Sequence, residues 1–137
     1  MNTNDLVPDL KICQEAKEKG VVINSLSYFV KEYPVKEKEV WVIARKETIT
    51  GTISFYENEH CPAPLTDEIL KVLPETIKRY DRLFCLRITK TAGNYFAWYE
   101  EFETDDGIDY DLYFEDKKLS NALLLLAIKL KEEGIIN

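Results

Sequence analysis

One histidine, one methionine and the lack of any Cys-x-x-Cys pair leave this chain short of the side chains that most metal and redox sites are built from. Cys13, Cys61 and Cys85 are odd in number and far apart. Neither a zinc ribbon nor a thioredoxin-type motif is therefore available, and a reducing, cytoplasmic compartment is the simplest expectation. Long apolar runs are missing too. The longest, Ala122 to Ile128, covers seven residues, against the roughly 20 needed to span a bilayer. The opening MNTNDLVPDLKIC lacks the basic start and apolar stretch of a secretory signal. Five glycines and five prolines form no low-complexity linker, and no repeat at solenoid spacing occurs. Glycine-rich phosphate loops, Ser/His/Asp arrangements and basic recognition helices are absent from the sequence. These absences predict a soluble protein with no membrane partner and no cofactor, and they lean away from an enzyme.

What is present suits one domain, residues 1–137, long enough to bury its own core without disulfide or metal staples. Hydrophobic residues make up 45% and charged residues 31% of the chain, ordinary for a folded protein. The net charge of −7 is unevenly placed. Residues 100–116, EEFETDDGIDYDLYFED, carry nine carboxylates and no Lys or Arg, while the rest of the chain balances 16 acids against 18 bases. Binding to nucleic acid, which depends on neutralising phosphates, is not expected of such a chain.

Leu10, Cys13 and Ala16 recur at helical spacing behind Asp9 as a cap and before Gly20 as a stop, which predicts a short helix. The segment NSLSYFVKEYP groups Leu26, Tyr28, Phe29 and Val30 before Pro34 and reads equally as a helix capped by Ser25 or as an extended segment. The β-branched and aromatic stretches 39–45 and 52–57 predict an antiparallel hairpin. Thr66 is placed to cap a helix over 66–73, with Asp67 and Glu68 in its first turn, Leu65 and Leu70 as a hydrophobic staple, and Pro74 as its end. Segments 82–90 and 94–102 predict a second hairpin around Thr91-Ala92-Gly93. Residues 108–114 read as a half-exposed strand with Tyr110, Leu112 and Phe114 inward and Asp109, Asp111 and Tyr113 outward. A C-terminal helix is expected from a cap at Asp116 to about Glu133, stopped by Gly134. Its stripe of Leu119, Leu123, Leu126 and Leu130 faces the core, and Leu124, Leu125 and Ile128 widen it so far that a second cover is required. That cover is another helix of the chain or a second copy, which makes Leu124 and Ile128 the candidate homodimer interface. The predicted fold class is α+β: an antiparallel sheet of about four to five strands with helices packed mainly on one face and a long apolar C-terminal helix.

The succession DLKICQEAKEKG, NSLSYFVKE, APLTDEILKVLP and LSNALLLLAIKLKEEGII resembles a group of small bacteriophage and prophage proteins. The shared features are a Cys-containing helix ending in Gly, a Ser-Leu-aromatic segment, and an Ala-Pro followed by a helix ending in Leu-Pro. An Ala/Leu-rich C-terminal helix completes them, closing here on Glu132-Glu133-Gly134. These markers fall near both ends and in the middle, whereas the two hairpins add nothing to them. The resemblance implies an origin in a mobile genetic element of a bacterium and expression in its cytoplasm, and it brings no catalytic residues.

Two features invite chemistry. His60-Cys61 is the first, but adjacent residues of an extended segment point to opposite sides, so they make no nucleophile–base dyad. No second His exists to share a metal. The pair reads as a loop His beside a half-buried Cys, whose truncation costs little. The second is the acidic group Asp105, Asp106, Asp109 and Asp111. It suits a solvated strand edge, a protein-binding surface, or an Mg²⁺ or Ca²⁺ site. The EF-hand pattern fails, because aligning Gly107 with its glycine puts Phe102 first and Tyr113 last. With no basic neighbour in sequence, replacing all four by Asn is expected to leave the fold intact or slightly more stable. Tyr95, Tyr99 and Tyr113, with Trp41, are candidates for an exposed aromatic face. The leading functional expectation is a small phage-type accessory protein that binds a host or viral protein partner through the acidic segment. A metal-dependent enzyme using the 105–111 carboxylates and a structural subunit that forms an oligomer are the alternatives.

Overall fold

The computed structural model describes residues 5–31, 41–45, 60–102 and 107–137. Its elements run α1 (Leu10–Glu18), β1 (Ser27–Lys31), β2 (Trp41–Arg45), β3 (His60–Pro62), α2 (Thr66–Leu70), β4 (Thr76–Arg79), β5 (Arg82–Thr91), β6 (Asn94–Glu101), β7 (Ile108–Asp116) and α3 (Leu119–Glu132). The class is α+β, but the strands divide into two antiparallel sheets rather than one. One has the order β2-β1-β3 and the other β4-β5-β6-β7. Helix α3 lies on β6 and β7, while α1 and α2 pack against α3. No described helix is long and apolar enough to cross a membrane.

In the smaller sheet the extended alternative for Tyr28-Phe29-Val30 is the one realised. β1 is the central strand, pairing Phe29 with Ile43 of β2 on one side and with Cys61 of β3 on the other. The partner expected for 39–45, residues 52–57, lies outside the described residues. His60-Cys61 is a strand and not a loop, and Cys61 is 2% exposed.

The larger sheet is a meander. Its β5–β6 turn is Ala92-Gly93, with φ of 52° and 83°. Consecutive left-handed residues define the tight hairpin turn whose twist matches the strands, and Gly adopts that conformation freely. The β4–β5 turn has the same shape on Tyr80 and Asp81, with φ of 57° and 59°. Ile77, Phe84, Ala97, Tyr99 and Leu112 make the inner face, each 5% exposed or less. The Tyr99 hydroxyl donates to the Pro74 carbonyl at 2.6 Å, tying this face to the end of α2.

The helix ends depart from simple capping. Asp9 holds the N-cap position of α1 without a side-chain bond to the helix. Its carboxylate instead accepts from Lys118 Nζ at 2.8 Å and from Asn121 Nδ2 at 3.0 Å, and its own N–H donates to Asn121 Oδ1 at 2.7 Å. The bond from Lys118 holds the Asp9 carboxyl below the usual carboxylate range. Asp116 does not cap α3, whose N-cap is Lys118; its Oδ1 accepts the Lys118 N–H just ahead of the helix. α2 has Leu65 as its N-cap and starts at Thr66, one residue earlier than a Thr66 cap would place it. Glu68 reaches back, accepting from Leu65 N–H at 2.8 Å and from Leu26 N–H at 3.0 Å.

Leu123, Leu126 and Leu130 are fully buried, as their stripe requires. Leu124 and Ile128 are buried as well, at 0% and 3% exposed. The homodimer interface expected at Leu124 and Ile128 is therefore corrected: α1 and α2 pack against α3, and the chain itself leaves these two residues 0% and 3% of their surface.

Candidate functional site

The features with surface chemistry gather along β7, an end strand of the larger sheet. Its pairing with β6 is regular from Tyr95↔Asp116 to Trp98↔Tyr113 and then jumps to Glu100↔Ile108, so two steps along β6 are matched by five along β7. An odd surplus of residues exchanges the faces on the far side of such a bulge. Tyr110, expected inward, is 75% exposed. Asp109, expected outward, turns its carboxylate to the inside, where the side chain is 7% exposed.

Asp109 meets Arg79 there. Arg79 Nη1 lies 3.0 Å from Asp109 Oδ2, an ionic contact whose alignment falls short of a hydrogen bond. Glu133 beyond the end of α3 adds a second carboxylate at 3.5 Å from Arg79 Nη2, and the exposed Asp111 stands at 3.9 Å. The expectation that Asp109 is a solvated carboxylate without a basic partner is thus corrected. Asp105 and Asp106 lie outside the described residues. An Asp109→Asn variant is expected to lose about 1–3 kcal/mol of stability, because it leaves the largely buried Arg79 guanidinium without its nearest counter-charge. Urea unfolding of the single variant measures this, and an unchanged midpoint would show that the pair contributes nothing.

On the outer face, cross-strand partners bring Arg87, Trp98 and Tyr113 into one row. Tyr113 is the hub of an aromatic cluster, with ring centroids 5.9 Å from Trp98, 6.1 Å from Phe96 and 5.9 Å from Tyr110. These tilted rings are within the favourable range for aromatic pairs. The Trp98 indole N–H is enclosed and has no hydrogen-bond acceptor among the described residues. No described helix packs on this face. The aromatic face therefore exists with other members than expected: Tyr99 is buried in the core, Tyr95 is half-buried beneath Lys90, and Trp41 packs against the core from β2. Phe96 and Trp98 stand two apart on β6, so strand alternation alone puts them on one face. Alternation does not bring Tyr110 to them, because only the bulge turns it out.

Between β7 and α3 runs a trough of about 380 Å³, floored by Phe114, Leu125 and Ile128 and edged by Tyr113, Asp111 and Glu132. A second groove, about 330 Å³, lies between α1 and the smaller sheet and includes Cys13, Lys17, Tyr28 and His60. Its polar groups are already engaged. Lys17 Nζ donates to the His60 carbonyl at 2.7 Å, and the His60 ring lies against Tyr28 at 5.7 Å. Burial pushes the Cys61 thiol up to about 11 and the Cys13 thiol higher still, which suppresses the thiolate that nucleophilic or redox chemistry requires. Among the described residues no three His, Cys, Asp or Glu side chains converge as metal ligands. Comparisons with family models, with curated proteins and with solved structures match nothing to this chain.

Proposed function

We propose that this protein is a protein-binding module, an accessory protein of a bacterial mobile element acting in the cytoplasm, which meets its partner along the β7 margin. The observation that carries this reading is the aromatic cluster of Phe96, Trp98, Tyr110 and Tyr113 on a sheet face that no described helix covers. Tyr110 is exposed and Phe96, Trp98 and Tyr113 are half-buried beside it; contiguous aromatics at a surface beside charged residues are typical of contact surfaces. The acidic segment supplies the charge that selects a basic partner and speeds encounter. A carboxylate-based metal enzyme is the weaker reading, since Asp109 is committed to Arg79.

A Tyr110→Ser, Tyr113→Ser variant tests the proposal. Immobilised wild-type protein is expected to retain a basic partner from bacterial lysate at low salt and to release it at high salt, where screening weakens charge attraction. The variant, with its melting transition preserved, is expected to bind that partner about tenfold more weakly, corresponding to about 1.4 kcal/mol. Undiminished capture by the folded variant would refute the aromatic contact.

A further inference from the structure

We infer that β7 takes up an extended, lysine- or arginine-containing segment of the partner as an additional strand, seated in the trough between β7 and α3. This rests on the protein-binding reading and names the mode and the chemistry of the bound segment. Three observations converge on it.

β7 spans nine residues, Ile108–Asp116, and no described strand pairs with its outer side. An end strand of that length presents a row of main-chain donors and acceptors, the template on which extended peptides add. The trough alongside gives such a peptide somewhere to put its side chains. Successive residues of a strand alternate in direction. One set would therefore enter the apolar floor of Phe114, Leu125 and Ile128, and the other would pass beside Tyr113 and its ring neighbours.

Charge decides the occupant. The 100–116 segment holds nine carboxylates and no base, and the remainder of the chain is close to neutral. Asp111 and Glu115 are exposed on β7, and Glu15 and Glu132 edge the trough. Glu132 pairs with Lys19 at 3.3 Å, and Lys129, the trough's lysine, pairs with Glu133 at 3.4 Å. The trough's own cation is thus already matched. Asp111 stands 3.9 Å from Arg79 but is 67% exposed, and among the described residues Glu115 has only the neutral Asn94 amide on it. With Glu15 they keep the margin negative toward a basic segment. A second copy pairing antiparallel through β7 about Tyr113 would set the exposed Asp111 and Glu115 against the same two residues, and like charges directly opposite are destabilising. A basic foreign strand has the opposite sign at each of those positions.

The probe is a synthetic peptide alternating lysine and valine over about ten residues, a typical strand length, added to the full chain and followed by amide hydrogen exchange. The expected result is that β7 amides within 111–115 slow about tenfold or more while other exposed amides do not change. Binding should weaken at high salt, in an Asp111→Lys, Glu115→Lys variant, and when alternate peptide nitrogens are methylated so that the ladder cannot form. Failure of the peptide to bind, binding unaffected by methylation on either edge, or protection at β4 or α1 instead of β7 would each overturn strand addition. Protection of β7 without peptide, rising with protein concentration, would assign the edge to a second copy and overturn it equally. The Tyr110→Ser, Tyr113→Ser capture experiment stands apart from these outcomes. If it succeeds while the peptide fails, the partner binds the aromatic face by another mode; if both fail, the protein-binding reading falls as well.

Discussion

A Leu124→Lys, Ile128→Lys variant is expected not to fold. Both wild-type side chains are enclosed, at 0% and 3% exposed, in the layer where α1 and α2 lie on α3. The lysine at 124 would bring a charge into that layer, the lysine at 128 would fill the floor of the trough between β7 and α3, and each would forfeit the packing of a large aliphatic side chain. Either loss alone reaches the exceptional end of single-substitution effects, about 4–5 kcal/mol or more. Two together approach the whole stability of a small domain, about 5–15 kcal/mol. Far-ultraviolet circular dichroism and light scattering of the purified variant decide the matter. A folded variant of any oligomeric state would contradict the burial of these residues.

Removing the Glu68 side chain should rank second. Glu68 is 9% exposed and its two oxygens each take a main-chain N–H, one at the start of its own helix and one from Leu26 in the segment leading into β1. It therefore secures the first turn of α2 and also fastens the smaller sheet's approach to that helix. Glu68→Ala leaves both N–H groups without an acceptor in a poorly solvated place, at an expected cost of about 3–5 kcal/mol for two charge-assisted bonds. Glu68→Gln keeps one acceptor oxygen and loses the charge, so roughly half of that cost is expected. Urea denaturation of the three proteins gives the comparison. Equal losses for Ala and Gln would mean that the second bond carries no weight.

Which parts could be read in advance depended on whether the deciding information was local. The β5–β6 hairpin was legible because Gly93 marks its turn and aromatic and β-branched residues flank it. β4 escaped notice because Tyr80-Asp81 makes the same left-handed turn without Gly or Asn; tertiary structure holds it there against local preference. The division of the strands into two sheets was hidden for a similar reason, since β1 draws its partners from residues 41–45 and 60–62, and nothing in those short stretches announces the pairing. α3 was recognisable from its leucines, and so was its need for cover on two sides. That α1 and α2 supply the second cover depends on contacts across the length of the chain. At the candidate site the acidity of β7 was plain, yet the inward turn of Asp109 toward Arg79, thirty positions earlier, is a product of the bulge. A bulge of that kind has no composition of its own to betray it.

The tie between Asp9 and Asn121 spans 112 positions, and it sets the order in which the molecule can be completed as it leaves the ribosome. The β4–β7 meander is built from neighbours in sequence, two of its three connections being two-residue turns, so little chain entropy opposes its early formation. α3, which lies on β6 and β7 over Ala97, Tyr99 and Leu112, is synthesised after all four strands, and α1 has to wait for α3. For that interval the nascent chain displays an apolar sheet face with open edges, the condition under which partly made proteins aggregate. The carboxylates of residues 100–116 leave the ribosome during this interval, and flanking charge of this kind guards hydrophobic strands against one another. The same acidity that would recruit a partner to the finished protein thus shields the unfinished one.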